Sequence, residues 1–86
     1  MMMLSDCVLA IDGERIGLSR PTRLPGTAKS PNRLSFGVAA RDCDRARQLV
    51  GRTGIVHTQS GVVLMRLKIH EVDPTLHVLT GEPATS

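Results

Sequence analysis

The stretch 7-CVLAIDGERIGL-18 decides the fold class. Asp12-Gly13 at its centre is a two-residue turn signal, because a type I′ turn needs positive φ at both central positions and Asp-Gly accepts it. Folding the chain there pairs Ile11 with Glu14, Leu9 with Ile16 and Cys7 with Leu18. Cys7, Leu9, Ile11, Ile16 and Leu18 then share one face, the face expected to enter a core, while Val8 and Ala10 face the other way.

The rest of the chain continues the pattern. Arg33 to Ala40 alternates Leu34, Phe36 and Val38 with Arg33, Ser35 and Gly37, as a half-buried strand does. Val62 to Ile69 sets Val63, Met65, Leu67 and Ile69 against Arg66, Lys68 and His70, the clearest strand in the chain. It is expected to pair with Ile55 to Thr58 across a turn carrying Gly61, in a register the turn does not fix. Asp73-Pro74 marks a further turn, after which Leu76 to Leu79 should pair back.

One helix interrupts the strands, over residues 42–50. Asp42 suits an N-cap, Asp44 the first turn, and Gly51 the C′ position. Cys43, Ala46 and Val50 form a narrow apolar stripe that Leu49 broadens. About two turns of helix do not persist alone, so this one must lie on the sheet. Gly81 to Ser86, with Pro83, reads as a frayed polar tail. The expectation is one mainly β (α+β) domain over residues 1–80 and a flexible tail over 81–86. Its sheet is antiparallel, folded as a small β-sandwich or barrel.

The core this pattern can build is poor in large side chains. The chain has 86 residues, no Trp, no Tyr and a single Phe, Phe36. Aromatic rings normally bury the most area per residue, and a chain of this size has a thin stability margin. Self-association or a partner surface is the expected compensation. The other candidate staple is a disulfide between Cys7 and Cys43. No secretory signal precedes them, because Asp6 and Asp12 interrupt the apolar start at Met1 to Leu4. A cytoplasmic origin follows, where thiols stay reduced, so two free and mostly buried cysteines are expected. No run approaches the ~18 apolar residues that span a bilayer, and no membrane role is expected.

Charge is concentrated in one place. Formal net charge is +3. The segment Ser19 to Arg33 holds Arg20, Arg23, Lys29 and Arg33 and no acid, which is +4, so the remainder sums to −1. The same segment contains Pro21, Pro25, Gly26 and Pro31, which bar both a helix and a full ladder. Residues 19–32 are therefore a long Pro-rich basic loop. It reads either as a plain surface loop or as an arm that orders against another chain or a polyanion. Arg20, Pro21, Arg23, Pro25, Lys29 and Arg33 are the candidate interaction residues.

Side chains able to carry chemistry do not converge. His70 and His77 would face each other across two strands if a four-residue connection joined them. Two imidazoles beside Arg66 and Lys68 do not make a zinc site, so both are expected on the solvated surface. Cys43 with His57 could suggest a nucleophile and its base, but Cys43 lies on the apolar helix stripe, where a thiol is inert. Asp42, Asp44, Glu71 and Asp73 form no spaced carboxylate pair, and no phosphate-binding or dinucleotide motif occurs. No enzyme, metal or cofactor is expected. Nucleic-acid binding through the four cations of the loop would be weak, salt-sensitive and sequence-blind, since stacking aromatics are missing.

The order and spacing of these segments resemble those of a known family. VLAIDGERIGL runs into the long loop, RLSFGVAARDCDRARQLVGR gives a strand and short helix, and TGIVHTQSGVVLMRLKIHEVD gives a hairpin with a basic outer face. This layout resembles the small β-sandwich modules of tailed bacteriophages, of the tail-tube and distal-tail type, over about 75 residues. The chain is short for a tube subunit and lacks a second long hairpin. The resemblance implies a structural assembly subunit of a phage tail, neck or baseplate, made in the cytoplasm and destined for a virion. Its partners would be copies of itself or neighbouring virion proteins, reached through the loop and exposed strand edges. The alternative is a small basic binding protein acting on nucleic acid or on a host protein.

Overall fold

The computed structural model describes residues 6–29 and 31–84. Seven strands form one mostly antiparallel sheet: β1 (Cys7–Ile11), β2 (Glu14–Leu18), β3 (Thr22–Arg23), β4 (Leu34–Gly37), β5 (Thr53–His57), β6 (Val63–Asp73) and β7 (Val78–Pro83). Their spatial order is β2-β1-β5-β6-β7-β4-β3. Of the sandwich and the barrel that the sequence left open, the chain adopts a curled half-barrel. One end of the curl is drawn together where Leu18 bridges Val38. There the Ser19 amide donates to the Gly37 carbonyl at 2.9 Å, and the Gly37 amide donates to Ser19 Oγ at 2.6 Å.

The β1–β2 hairpin has the expected register, with Cys7 opposite Leu18, Leu9 opposite Ile16 and Ile11 opposite Glu14. Asp12 and Gly13 have φ of 50° and 81°, the values a type I′ turn requires. All five residues assigned to the inner face are buried. They close around Phe36, Val56, Leu67, Ile69 and Leu79, so the core lies in the hollow of the curl. Cys7 and Cys43 are both unpaired and buried.

The helix is shorter than expected. A 3₁₀ turn over Ala40–Asp42 leads into α1 (Cys43–Arg47). Asp42 is already helical at φ −98° and ψ −6°, and its side chain caps nothing. Its carboxylate accepts from Arg45 at 3.0 Å instead. Leu49, not Val50, joins Cys43 and Ala46 in the core, and Val50 is exposed. Gly51, at φ 88°, turns the chain so that its amide donates to the Ile69 carbonyl at 2.8 Å. The helix is thereby clipped onto β6, and Cys43, Ala46 and Leu49 join the core.

Two further expectations change. Gly81 to Pro83, assigned to a tail, complete β7 and pair with Ile69, Lys68 and Leu67. Gly81 fits there because β6 passes close: a Cβ on it would lie 2.5 Å from the Lys68 carbonyl oxygen. Pro83 ends the strand, where a missing N–H is tolerated. Thr85 and Ser86, the last tail residues, lie outside the described residues. The long loop is also not wholly without ladder. Thr22 and Arg23 pair with Ser35 and Leu34, as an edge strand flanked by prolines can.

Candidate functional site

The loop is a hairpin arm. β3 and β4 form its base, and the Leu24 amide donates to the Arg33 carbonyl at 3.0 Å as the last rung. Beyond that rung the chain turns back with Gly26 against Pro31, close enough that a Cβ on Gly26 would lie within 2.7 Å of Pro31 Cα. Only glycine permits this approach. The arm is therefore shaped by its own backbone and not by packing against the core.

All six candidate residues lie on this arm, but at different places. Arg20 and Pro21 form its root, where the Arg20 amide donates to the Asp6 carboxylate at 2.8 Å. Arg23, Pro25 and Lys29 are exposed along it, and Arg33 is half-buried on the returning side. Among the described residues, no carboxylate lies within ion-pair distance of Arg20, Arg23, Lys29 or Arg33. Among the described residues, no ion pair offsets these four charges.

Arg66 and Lys68, on the outer face of β6, extend the same surface. By alternation they form the basic outer face of a strand. The descending side of the arm brings Pro31 and Asn32 to an open groove of about 500 Å³ shared with Thr53, Arg66, Lys68 and Glu82. The strand alternation carried the position of these two cations. The fold of the arm, which brings it beside them, had no signal in the sequence.

By contrast, three cations on and after the helix are paired. Arg45 lies 3.0 Å from Asp42 and 3.8 Å from Glu14, and also donates to the Arg15 carbonyl at 3.0 Å. Arg47 lies 3.8 Å from Asp44, and Arg52 pairs with Asp12. Exposed pairs like these contribute about 0–1 kcal/mol each. Their consequence is electrostatic: Arg45, Arg47 and Arg52 are offset by acids, while the four arm cations form no ion pair among the described residues.

The histidines do not stand as expected. The register of β6 and β7 shifts between Ile69 and Glu71, leaving His70 as the extra residue of a bulge. His70 is half-buried, with Nε2 3.1 Å from Glu82 Oε1 but without hydrogen-bond alignment. His77 sits in the turn before β7 at φ 56°, so the two rings do not face each other. The turn is the physical reason: it takes up Pro74 to His77, Asp73 pairs with Val78, and His70 lies level with Thr80 and Gly81 instead. His57 and Cys43 are engaged separately, His57 Nδ1 with the Thr58 carbonyl at 2.7 Å and Cys43 Sγ with the Ala39 carbonyl at 3.6 Å. Burial, with a smaller contribution from Asp6, raises the Cys7 thiol above its ordinary pKa, which disfavours the reactive thiolate. Among the described residues no three potential ligands gather for a metal ion, and no helix is long and apolar enough to cross a membrane.

Comparison with family models, with curated proteins and with solved structures finds no match.

Proposed function

We propose that this chain is a structural assembly subunit, of the kind that builds phage tails, necks or baseplates, and that it works by self-association through its arm and exposed sheet edges. The observation that carries this reading is the arm itself. Its ladder to the body is two residues long, its tip is exposed, and its shape comes from Gly26 and three prolines rather than from a core. A segment stiffened in this way loses little further entropy when it meets a partner. The core supports the same reading, since Phe36 is the sole aromatic and burial between subunits adds stability by mass action.

The test replaces residues 25–32 with Asn-Gly, which closes a two-residue turn over the Leu24–Arg33 rung. Mass by light scattering across concentration should show discrete oligomers for the wild type and smaller species for the variant. Unchanged oligomers in the variant would remove the arm from assembly.

The cations of the arm and of β6 favour a second reading, a basic binding protein that takes up nucleic acid. Arg20, Arg23, Lys29, Arg33, Arg66 and Lys68 would neutralise phosphates without reading bases. A monomer that binds DNA with an affinity falling steeply with salt supports this second reading over the first.

A further inference from the structure

The curl draws the end of β2 to the end of β4 at the Leu18–Val38 bridge. Past that bridge, β2 and the 3₁₀ turn that follows β4 stand apart and enclose an open cavity of about 710 Å³. Both ends of the gap are closed. At one end the Ser19 amide donates to the Gly37 carbonyl at 2.9 Å, and the Gly37 amide donates to Ser19 Oγ at 2.6 Å. At the other, Arg45 Nη2 donates to the Arg15 carbonyl and to the Asp42 carboxylate, each at 3.0 Å, and so spans from β2 to the turn. From Arg15 to Leu18 the strand runs about 10 Å. With the Arg15 carbonyl taken and Leu18 already paired, that edge has no room for an added strand. The space suits a small molecule, and its volume falls in the range of about 300–1,000 Å³ that such sites occupy.

The lining has an apolar part and a charged part. Buried Leu18 and Val38 line it with exposed Ala39 and Ala40. Arg15, Arg41 and Arg45 bring three positive charges, and Asp6 and Asp42 bring two negative ones. Both acids are engaged: Asp6 accepts from the Arg20 amide at 2.8 Å, and Asp42 accepts from Arg45 at 3.0 Å. His77 also borders the cavity, held in its turn at φ 56°. Arg15 and Arg41 are exposed, and neither guanidinium has an ion pair among the described residues. The cavity thus offers two unmatched guanidiniums beside an apolar wall.

We infer that this cavity binds a small organic anion, a carboxylate carried on a short apolar body. The inference goes beyond the assembly reading and uses none of the arm's cations. The carboxylate accepts from Arg41 or Arg15, whose planar fork matches its two oxygens in a charge-assisted pair. The body lies along Leu18, Val38, Ala39 and Ala40, where it removes apolar surface from water. Each half of the lining excludes a class of ligand. The excess of arginine over aspartate disfavours a cation, and a bare inorganic anion leaves the apolar wall uncovered.

The test titrates hexanoate into the isotope-labelled protein and follows amide chemical shifts. Hexanol serves as the probe without charge, and inorganic phosphate as the probe without an apolar body. The expected result is saturable movement of the Gly17, Gly37, Ala39 and Ala40 amides with hexanoate, and binding weaker by about tenfold or more for the other two probes. Arg41→Gln and Arg15→Gln, made singly, should keep the native spectrum, and at least one should lower hexanoate affinity by about tenfold. Arg66→Gln, outside the cavity, should leave it unchanged. Hexanoate that moves none of these amides would overturn the site. Hexanol or phosphate binding as well as hexanoate, or wild-type affinity in both cavity variants, would overturn the ligand class.

Discussion

The Leu24 amide and the Arg33 carbonyl, 3.0 Å apart, mark where the sheet ends and the arm begins. Inside that rung the chain obeys the ladder of β3 and β4. Outside it, prolines and Gly26 set the path. The Asn-Gly replacement of residues 25–32 removes only what lies outside. Each halving of a loop recovers about 0.6 kcal/mol of closure entropy. The shortened protein should therefore unfold at an equal or slightly higher temperature, which a thermal melt will check.

Gly81 is held by the Lys68 carbonyl. A Cβ there would lie 2.5 Å from that oxygen and 3.1 Å from Leu67 Cγ. Relief means moving β6 backbone, not a side-chain end. Gly81→Ala should cost about 1–3 kcal/mol, seen as a lower urea midpoint at unchanged slope.

Phe36 fills the hollow of the curl and is 1% exposed. Phe36→Ala should cost about 3–5 kcal/mol. Small domains hold about 5–15 kcal/mol in all, so this variant should lose a large share of its stability and melt at a much lower temperature by circular dichroism. Phe36→Leu should remain folded with a lower midpoint.

Cys7 links stability to alkaline pH. Burial, aided by Asp6, raises its folded pKa above the ordinary 9.0. A group raised in the folded state binds its proton more tightly there. Its contribution is fully present below the unfolded pKa and is lost as pH rises through the folded one. The urea midpoint should therefore fall as pH rises above about 9, and fall less in Cys7→Ala. At neutral pH both thiols should react with a thiol reagent only after denaturation, since both are buried.

How much of this was legible in the sequence follows from local chemistry. Asp12-Gly13 fixed one hairpin down to its register, because the turn type leaves no freedom. The alternation of β6 held from Met65 to Ile69 and failed at His70, where the bulge adds a residue that no residue type announced. Gly81 and Pro83 read as breakers, yet one relieves a close approach and the other ends a strand. Val50 was placed on the helix's inner stripe, but α1 ends at Arg47 and the tightened last turn buries Leu49 instead. The arm's composition was plain. Its hairpin shape, and its closeness to Arg66 and Lys68, depend on long-range pairing.

Self-association is the claim on which the rest depends, and sedimentation equilibrium of the intact chain over a wide concentration range tests it most directly. The expected result is a mass that rises with concentration from 9.3 kDa towards a discrete multiple, with native circular dichroism throughout. A folded sample that stays at the monomer mass at every concentration would contradict it.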